Sequence, residues 1–240
     1  MLCIACAMPG YPLCPVCSRG LIPAHDDAAS GVFVGVPYAH TGTAARLVHN
    51  LKYRRSESAG RFLGAAMAAR LPIGATVLVP VRRSMARRVA YGIDQAAFLS
   101  RVVSDLTAIP VADVLVPPLW WGKRAGAPRN ARAPISFRAK GVVPDSAVLV
   151  DDVLTTGTTA LSAGRAISPS RFSVLVATTA GTMRSGTEKV PNLGGDVATK
   201  RRVNADRSPT ALPYSRLDSL LRARTVRTRS FEVAYREEHG

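Results

Sequence analysis

Short apolar runs alternate with segments of helical periodicity along residues 31–180, and this alternation limits the fold more than any other feature of the chain. The apolar runs are "GVFVGVPYAH" (31–40), "ATVLVPV" (75–81), "VADVLVPPLW" (111–120), "SAVLV" (146–150) and "FSVLVATTA" (172–180). The helical segments cover 43–55, 58–70 and 94–106, and another begins near Thr158. Short buried strands joined by helices predict an α/β fold, in which helices flank a parallel sheet on both faces.

All four cysteines lie in the first 17 residues, as Cys3-x-x-Cys6 and Cys14-x-x-Cys17. Each pair can direct two thiolates at one ion, and two pairs complete a tetrahedral site of the kind that zinc prefers. The alternatives are a disulfide framework, in which two intervening residues make a strained bridge, and a redox pair, which needs only one such motif. Four thiolates leave no open coordination position, so the sequence predicts a structural zinc knuckle over residues 1–24.

The strand and helix pattern stops beyond Met183. Residues 184–240 are rich in Arg, Thr, Ser, Asn and Gly, and "YSRLDSLLRAR" (214–224) is their one weakly helical stretch. Such a composition predicts a basic, mostly disordered tail, with a short docking helix around Leu217 to Leu221 as the alternative. The expected organisation is a knuckle at 1–24, an α/β domain at 31–183 and a tail at 184–240.

The chain carries a formal net charge of +16, from 27 Arg and 5 Lys against 16 acidic residues. An excess of this size indicates a polyanionic partner, such as nucleic acid or a phosphate-rich small molecule. A biased coding composition is the alternative, because the charge is spread over the chain: residues 1–183 carry +11 and residues 184–240 carry +5. No apolar run reaches the roughly 18 residues of a membrane span, and the N-terminus carries no basic leader, so the cytoplasm is the expected location.

The segment "VLVDDVLTTGTTA" (148–160) places two acids and a threonine-rich loop between a strand and a helix. Ligands of open α/β sheets bind at this kind of position. Gly157 lets the backbone approach an anion at a helix N-terminus, and the carboxylates of Asp151 and Asp152 can accept hydrogen bonds from vicinal ribose hydroxyls. The loop lacks the Walker and Rossmann glycine patterns. It predicts a ribose 5-phosphate site, with an ordinary strand–turn–helix as the alternative.

This segment resembles the phosphoribosyl-pyrophosphate (PRPP) signature of type I phosphoribosyltransferases. The resemblance implies that Asp151 and Asp152 hold the ribose hydroxyls. It also implies that the 5-phosphate is bound by the loop residues Thr155, Thr156, Gly157, Thr158 and Thr159.

Three further segments, together with the cysteine knuckle, resemble the ComF-type competence family, which joins a zinc knuckle to a phosphoribosyltransferase-like domain. They are "LVHNLKYRR" (47–55), "VPVRRSMARRVAYGIDQA" (79–96) and "RNARAPISFR" (129–138). The resemblance covers residues 1–183. It departs from the family at Tyr91 to Gln95, where the family usually has Arg-Gly-Phe-Asn-Gln, and no Thr and Gln of the family's middle region are evident between Val116 and Arg129.

The resemblance implies PRPP binding with Mg²⁺ and displacement of pyrophosphate from ribose C1 by a nitrogen nucleophile. The candidate residues for neutralising pyrophosphate are Arg82, Arg83, Lys123 and Arg124, with Lys52 and Arg129 as additions. None of the histidines (His25, His40, His49 and His239) lies in a motif, so no general base is predicted. Alternative functions are a non-catalytic PRPP or nucleotide sensor and an accessory protein of DNA uptake; nucleic acid and a second copy of the chain are the further partners considered.

Overall fold

The computed structural model describes residues 1–28, 32–82, 93–117, 136–141, 143, 146–167 and 172–180. The helices are α1 (Pro15–Arg19), α2 (Gly42–Arg54), α3 (Glu57–Ala68), α4 (Gln95–Thr107) and α5 (Thr158–Ile167). The strands are β1 (Val34–Gly35), β2 (Tyr38–Ala39), β3 (Val77–Pro80), β4 (Leu115–Val116), β5 (Arg138–Ala139), β6 (Ala147–Leu154) and β7 (Phe172–Thr179).

The three helices predicted between residues 43 and 106 form where the apolar periodicity places them. Two of them begin at residues whose side chains satisfy orphan backbone donors. The Ser56 hydroxyl accepts a hydrogen bond from the Ala59 N–H (3.3 Å) at the start of α3. The Asp94 carboxylate accepts one from the Ala97 N–H (3.2 Å) at the start of α4. Local capping and the apolar stripe therefore agree in fixing these helices.

The main sheet is parallel, and its strands follow the order β1/β2, β7, β6, β3. Both β1 and β2 pair with β7, at successive positions along one edge. The single strand predicted over 31–40 is thus two short pieces, and Pro37, which has no N–H to donate, lies between them. Beyond β3, Val111 forms a parallel bridge with Leu78 and continues the sheet.

The segment before β1 lies antiparallel to this sheet edge. Bridges join Pro23 to Tyr38 and Asp27 to Val34. The Asp26 carboxylate accepts a hydrogen bond from the Val36 N–H (2.9 Å) and lies 3.4 Å from the Arg70 guanidinium. The segment therefore covers an edge that would otherwise present unpaired backbone groups.

Each face of the sheet has its own buried cluster, which confirms a parallel sheet flanked by helices. One cluster joins α2, α3 and α4 to sheet residues such as Leu78 and Val150, and it includes three of the four cysteines. The other joins α5 and the antiparallel pair β4 and β5 to Val79 and Leu149. The described part of the chain contains no helix long and apolar enough to cross a membrane. Residues 184–240, with the predicted tail and its docking helix, lie outside the described residues.

Candidate metal centre and ligand site

Backbone hydrogen bonds fold the short loop between the two cysteine pairs back on itself. The Cys3 N–H donates to the Met8 carbonyl (2.7 Å), and the Gly10 N–H donates to the Met1 carbonyl (3.1 Å). Gly10 has a φ of +121°, and a Cβ at this position would lie 2.9 Å from the Cys14 Cα. A glycine is therefore needed where the loop passes closest to the second cysteine pair.

The four sulfur atoms form one compact cluster, as the spacing predicts. All of them lie within 4.8 Å of one another, and the Cys6 and Cys14 sulfurs are 3.7 Å apart. A Zn–S bond of about 2.3 Å implies a sulfur–sulfur separation of about 3.8 Å at a tetrahedral ion. The cysteines form no disulfides, and Cys3, Cys14 and Cys17 are buried. The residues thus fit a closed zinc site.

Two cysteines have thiol pKa values shifted in opposite directions. Burial and the neighbouring sulfurs raise the pKa of Cys17 to about 12. At Cys3 burial acts in the same direction, but hydrogen bonds with backbone groups at Cys14, Ala5 and Cys6 outweigh it and lower the pKa to about 6. The backbone hydrogen bonds therefore favour the thiolate of Cys3, whereas Cys17 must lose its proton when a metal binds.

The carboxyl ends of β3 and β6 meet at a topological switch point. After β3 the chain continues on one side of that strand, where the Ala112 N–H donates to the Leu78 carbonyl (2.9 Å). It then returns as β6 on the other side, with Pro80 opposite Val150. Crevices at such points are where open α/β sheets bind ligands. Arg82 comes two residues after Pro80, and the acid pair Asp151 and Asp152 comes directly after Val150.

The two adjacent acids lie within β6, which extends four residues beyond the predicted strand, to Leu154. Successive side chains of a strand point to opposite faces. Asp152 is 4% exposed, and its Oδ2 lies 2.9 Å from Lys52 Nζ of α2. Asp151 is half-buried, and its Oδ1 accepts a hydrogen bond from the Asp152 N–H (2.8 Å). The pair therefore has one buried member held by the half-buried cation of Lys52 and one member that is more accessible.

The threonine loop connects β6 directly to α5. Gly157 is buried at a φ of +74°, a backbone conformation that favours glycine. Its carbonyl accepts the hydrogen bond from the Leu161 N–H (2.9 Å) that begins the helix. Around it, Thr155, Thr156 and Thr158 are exposed and Thr159 is half-buried. The hydroxyls of Thr156 and Thr158 lie 3.0 Å apart. Hydroxyls beside the unpaired N–H groups of a helix N-terminus are suited to an anion.

His40 lies near the acid pair, although no sequence motif assigns it a role. It follows β2, and its Nδ1 is 2.8 Å from the Thr178 hydroxyl, which in turn donates to the Asp152 carbonyl (3.4 Å). Burial and the positive charge of Lys52 lower the pKa of His40, and Asp152 opposes them. The one available signal was its position after an apolar run, at the same sheet edge as the acids.

Arg82, a candidate for binding pyrophosphate, lies between two carboxylates. Its Nη1 is 3.9 Å from Asp94 Oδ2, and its Nε is 2.5 Å from Asp113 Oδ1, without the alignment of a hydrogen bond. Asp94 stands where the ComF-type pattern has asparagine, so the departure from that pattern supplies one of the two negative charges. The other predicted cations, Arg83, Lys123, Arg124 and Arg129, lie outside the described residues.

No protein-family model and no curated protein matches this chain. Among solved structures, an adenine phosphoribosyltransferase from Leishmania donovani is similar, with 16% sequence identity over 64% of this chain and 71% of that one and a TM-score of 0.34. A likeness at this level establishes no shared activity, and the α/β fold is established by the sheet topology itself. Membership of the ComF-type family stays a prediction.

Proposed function

We propose that this chain binds PRPP together with Mg²⁺ at the switch point between β3 and β6. The observation that carries the proposal is the joining of two features at this point: the acid pair of β6 and the Gly157 loop that leads into α5. In this proposal residues 31–183 are a phosphoribosyltransferase-like domain, 1–24 its zinc knuckle and 184–240 its basic tail.

The acids are proposed to bind the ribose. Carboxylates only accept hydrogen bonds, and two vicinal hydroxyls offer two donors. Asp151, the more accessible acid, is suited to direct contact with the hydroxyls. Asp152 lies beside the Lys52 ammonium, with its Oδ2 2.9 Å from Lys52 Nζ, so this ion pair fixes the position of its carboxylate.

The loop at 155–159 is proposed to bind the 5-phosphate. The conformation of Gly157 turns the backbone sharply into α5, and the threonine hydroxyls around it supply hydrogen-bond donors. One phosphate group at the N-terminus of α5 would also be favoured by the helix dipole. The loop and the acids follow one another in the chain, which matches the continuity of a ribose 5-phosphate.

A Mg²⁺ ion at this site would be held mainly by oxygens of the ligand. Among the described residues, the four cysteines form the one group of three or more metal-ligating side chains. Mg²⁺ commonly binds through one or two carboxylates and substrate phosphates, and Asp151 can supply the carboxylate. When bound, the ion would supply neutralisation of the negative charge on pyrophosphate.

Phosphoribosyl transfer from this site would form a bond between ribose C1 and a nitrogen of the acceptor. The bond between C1 and the pyrophosphate oxygen breaks, pyrophosphate leaves with the bonding electrons, and the acceptor nitrogen loses its proton. The negative charge that develops on pyrophosphate must be stabilised. Because Arg82 already contacts Asp94 and Asp113, it is poorly placed for this role. That observation favours a second candidate function, a non-catalytic sensor of PRPP.

Calorimetry with PRPP and Mg²⁺ tests the ribose site. We expect the double substitution Asp151→Asn/Asp152→Asn to weaken binding by at least about tenfold, since it removes charge from two hydrogen-bond acceptors. Glu57→Gln is a matched control, because Glu57 is an exposed acid at the start of α3. Equal affinity in wild type and the double variant would refute the ribose site.

Release of pyrophosphate separates the candidate functions. Release on addition of a nitrogen base supports transfer, whereas PRPP binding without release supports a sensor. A DNA-uptake role predicts instead that DNA binds, with an affinity that falls by about 0.7 to 0.9 log units per log unit of salt for each phosphate contact.

A further inference from the structure

Asn50 of α2 holds the cysteine knuckle against the helix. Its side-chain Nδ2 donates to the Ile4 carbonyl (2.9 Å) and to the Ala5 carbonyl (3.3 Å), both between the first two cysteines. Asn50 is 9% exposed. A buried amide that donates to two carbonyls of one loop fixes the position of that loop relative to the helix.

Lys52, two residues further along α2, contacts the opposite side. It lies roughly 200° from Asn50 around the helix axis, and its Nζ is 2.9 Å from Asp152 Oδ2. The last turn of α2 therefore lies between the knuckle and the acid pair. The Asn50 carbonyl also accepts the N–H of Arg55, which ends the helix, so Asn50 and Lys52 belong to the same rigid turn.

We propose that Asn50 is a positioning residue for the PRPP site: it ties the metal-loaded knuckle to α2, and α2 holds Lys52 on Asp152. This inference rests on the proposed function and adds a role for the knuckle in it. The buried cluster supports the connection, since Cys3, Cys14 and Cys17 pack in the same core as Leu47 and Leu51 of α2. In this proposal zinc fixes the knuckle backbone, and the hydrogen bonds of Asn50 fix the position of α2, and with it Lys52, relative to that backbone.

The experiment compares wild type with Asn50→Ala and measures three quantities: zinc content, PRPP affinity and the acetylation rate of Lys52. Lysines react with acetic anhydride faster when they are not ion-paired, and peptide mass spectrometry reports each lysine separately. Lys140, which is exposed, serves as the reference within each sample. His49→Ala is the matched control, because His49 is an exposed neighbour on the same helix.

We expect Asn50→Ala to keep about one zinc per chain. Lys52 should react at least about fivefold faster relative to Lys140, and PRPP should bind at least about fivefold more weakly, as expected for coupled sites. His49→Ala should change neither quantity. If Asn50→Ala does not fold, Asn50→Ser makes the same comparison with a smaller change in volume.

The outcomes separate the two proposals. An unchanged Lys52 rate and unchanged PRPP affinity in the variant would overturn the positioning role and leave the PRPP site standing. A wild-type protein that does not bind PRPP, but whose Lys52 rate still depends on Asn50, would overturn the PRPP site and leave the structural connection standing.

Discussion

At the scale of single residues, the two adjacent acids of β6 have different surroundings. Asp152 and Lys52 have side chains that are 5% and 16% exposed, and they form an ion pair. Taking such charges out of water is costly, and their mutual attraction offsets the cost only while both are present. Asp151 is half-buried, so its carboxylate remains partly in water. Its removal should therefore affect a ligand more than the fold.

Asp152→Asn should lower the free energy of unfolding by about 3 kcal/mol, because it leaves the half-buried Lys52 ammonium beside a neutral amide. Asp151→Asn should cost less than about 1 kcal/mol. Urea unfolding of the two single variants measures both values. Equal losses of unfolding free energy in the two variants would show that the ion pair with Lys52 does not make Asp152 more important for stability than Asp151.

His40 should make the stability depend on pH. Because burial and Lys52 lower its pKa in the folded state, the unfolded chain, with a histidine pKa of about 6.5, binds more protons below that pH. The contribution is therefore complete above about pH 6.5 and is lost as the pH falls. Urea midpoints between pH 8 and pH 5 should decline less steeply in His40→Gln than in wild type; parallel curves would rule out this source.

The sequence predicts the chemistry of single residues better than their contacts. The cysteine spacing alone predicts the sulfur cluster, because two Cys-x-x-Cys pairs close together in the chain can direct four sulfurs at one metal ion. Lys52 was a candidate for binding pyrophosphate, but it contacts Asp152. His40 was given no role. Both contacts depend on packing between residues that are far apart in the chain, and local motifs carry no information about such packing.

At the scale of elements, periodicity and capping predict α2, α3 and α4, whereas the apolar runs do not predict the strand lengths. The predicted strand 146–150 continues to Leu154, since its pairing with β7 extends to Thr179. The two acids interrupt the apolar run, so Val153 and Leu154 are not recognised as its continuation. The consequence is functional, because an acid pair inside a strand is divided between the two faces of the sheet.

The loop after β6 should need glycine at residue 157 both for the stability of its backbone conformation and for PRPP binding. Gly157→Ala places a Cβ at a φ of +74°, which should destabilise the fold by about 1–2 kcal/mol and weaken PRPP binding. Gly74→Ala is the matched control, since Gly74 has a φ of +83° and no atom within 4 Å of the added Cβ. It should cost similar stability and leave PRPP affinity unchanged. Equal effects of both variants on binding would mean that the loop acts only through stability.

At the scale of the whole molecule, the knuckle and the sheet share one core. Cysteine side chains pack with α2 and α3 in the cluster on one sheet face, and Pro23 and Asp27 form bridges with the sheet edge at Tyr38 and Val34. The sequence predicts a separate N-terminal unit, because the cysteine motif is local. Burial against α2 could not be predicted from it. Loss of the metal should therefore destabilise the sheet and its helices as well as the knuckle.

Cys14→Ser/Cys17→Ser should abolish zinc binding and lower the temperature of a single unfolding transition. Metal analysis and calorimetry measure the two effects, and Met8→Ser, at an exposed knuckle residue, should keep about one zinc per chain. Zinc affinity should rise with pH in the wild type, since the Cys17 thiol, with a pKa of about 12, must release its proton. Full zinc content in the double variant would refute the four-thiolate site. Two separate transitions in the wild type would show instead that the knuckle folds independently of the sheet, in spite of the shared core.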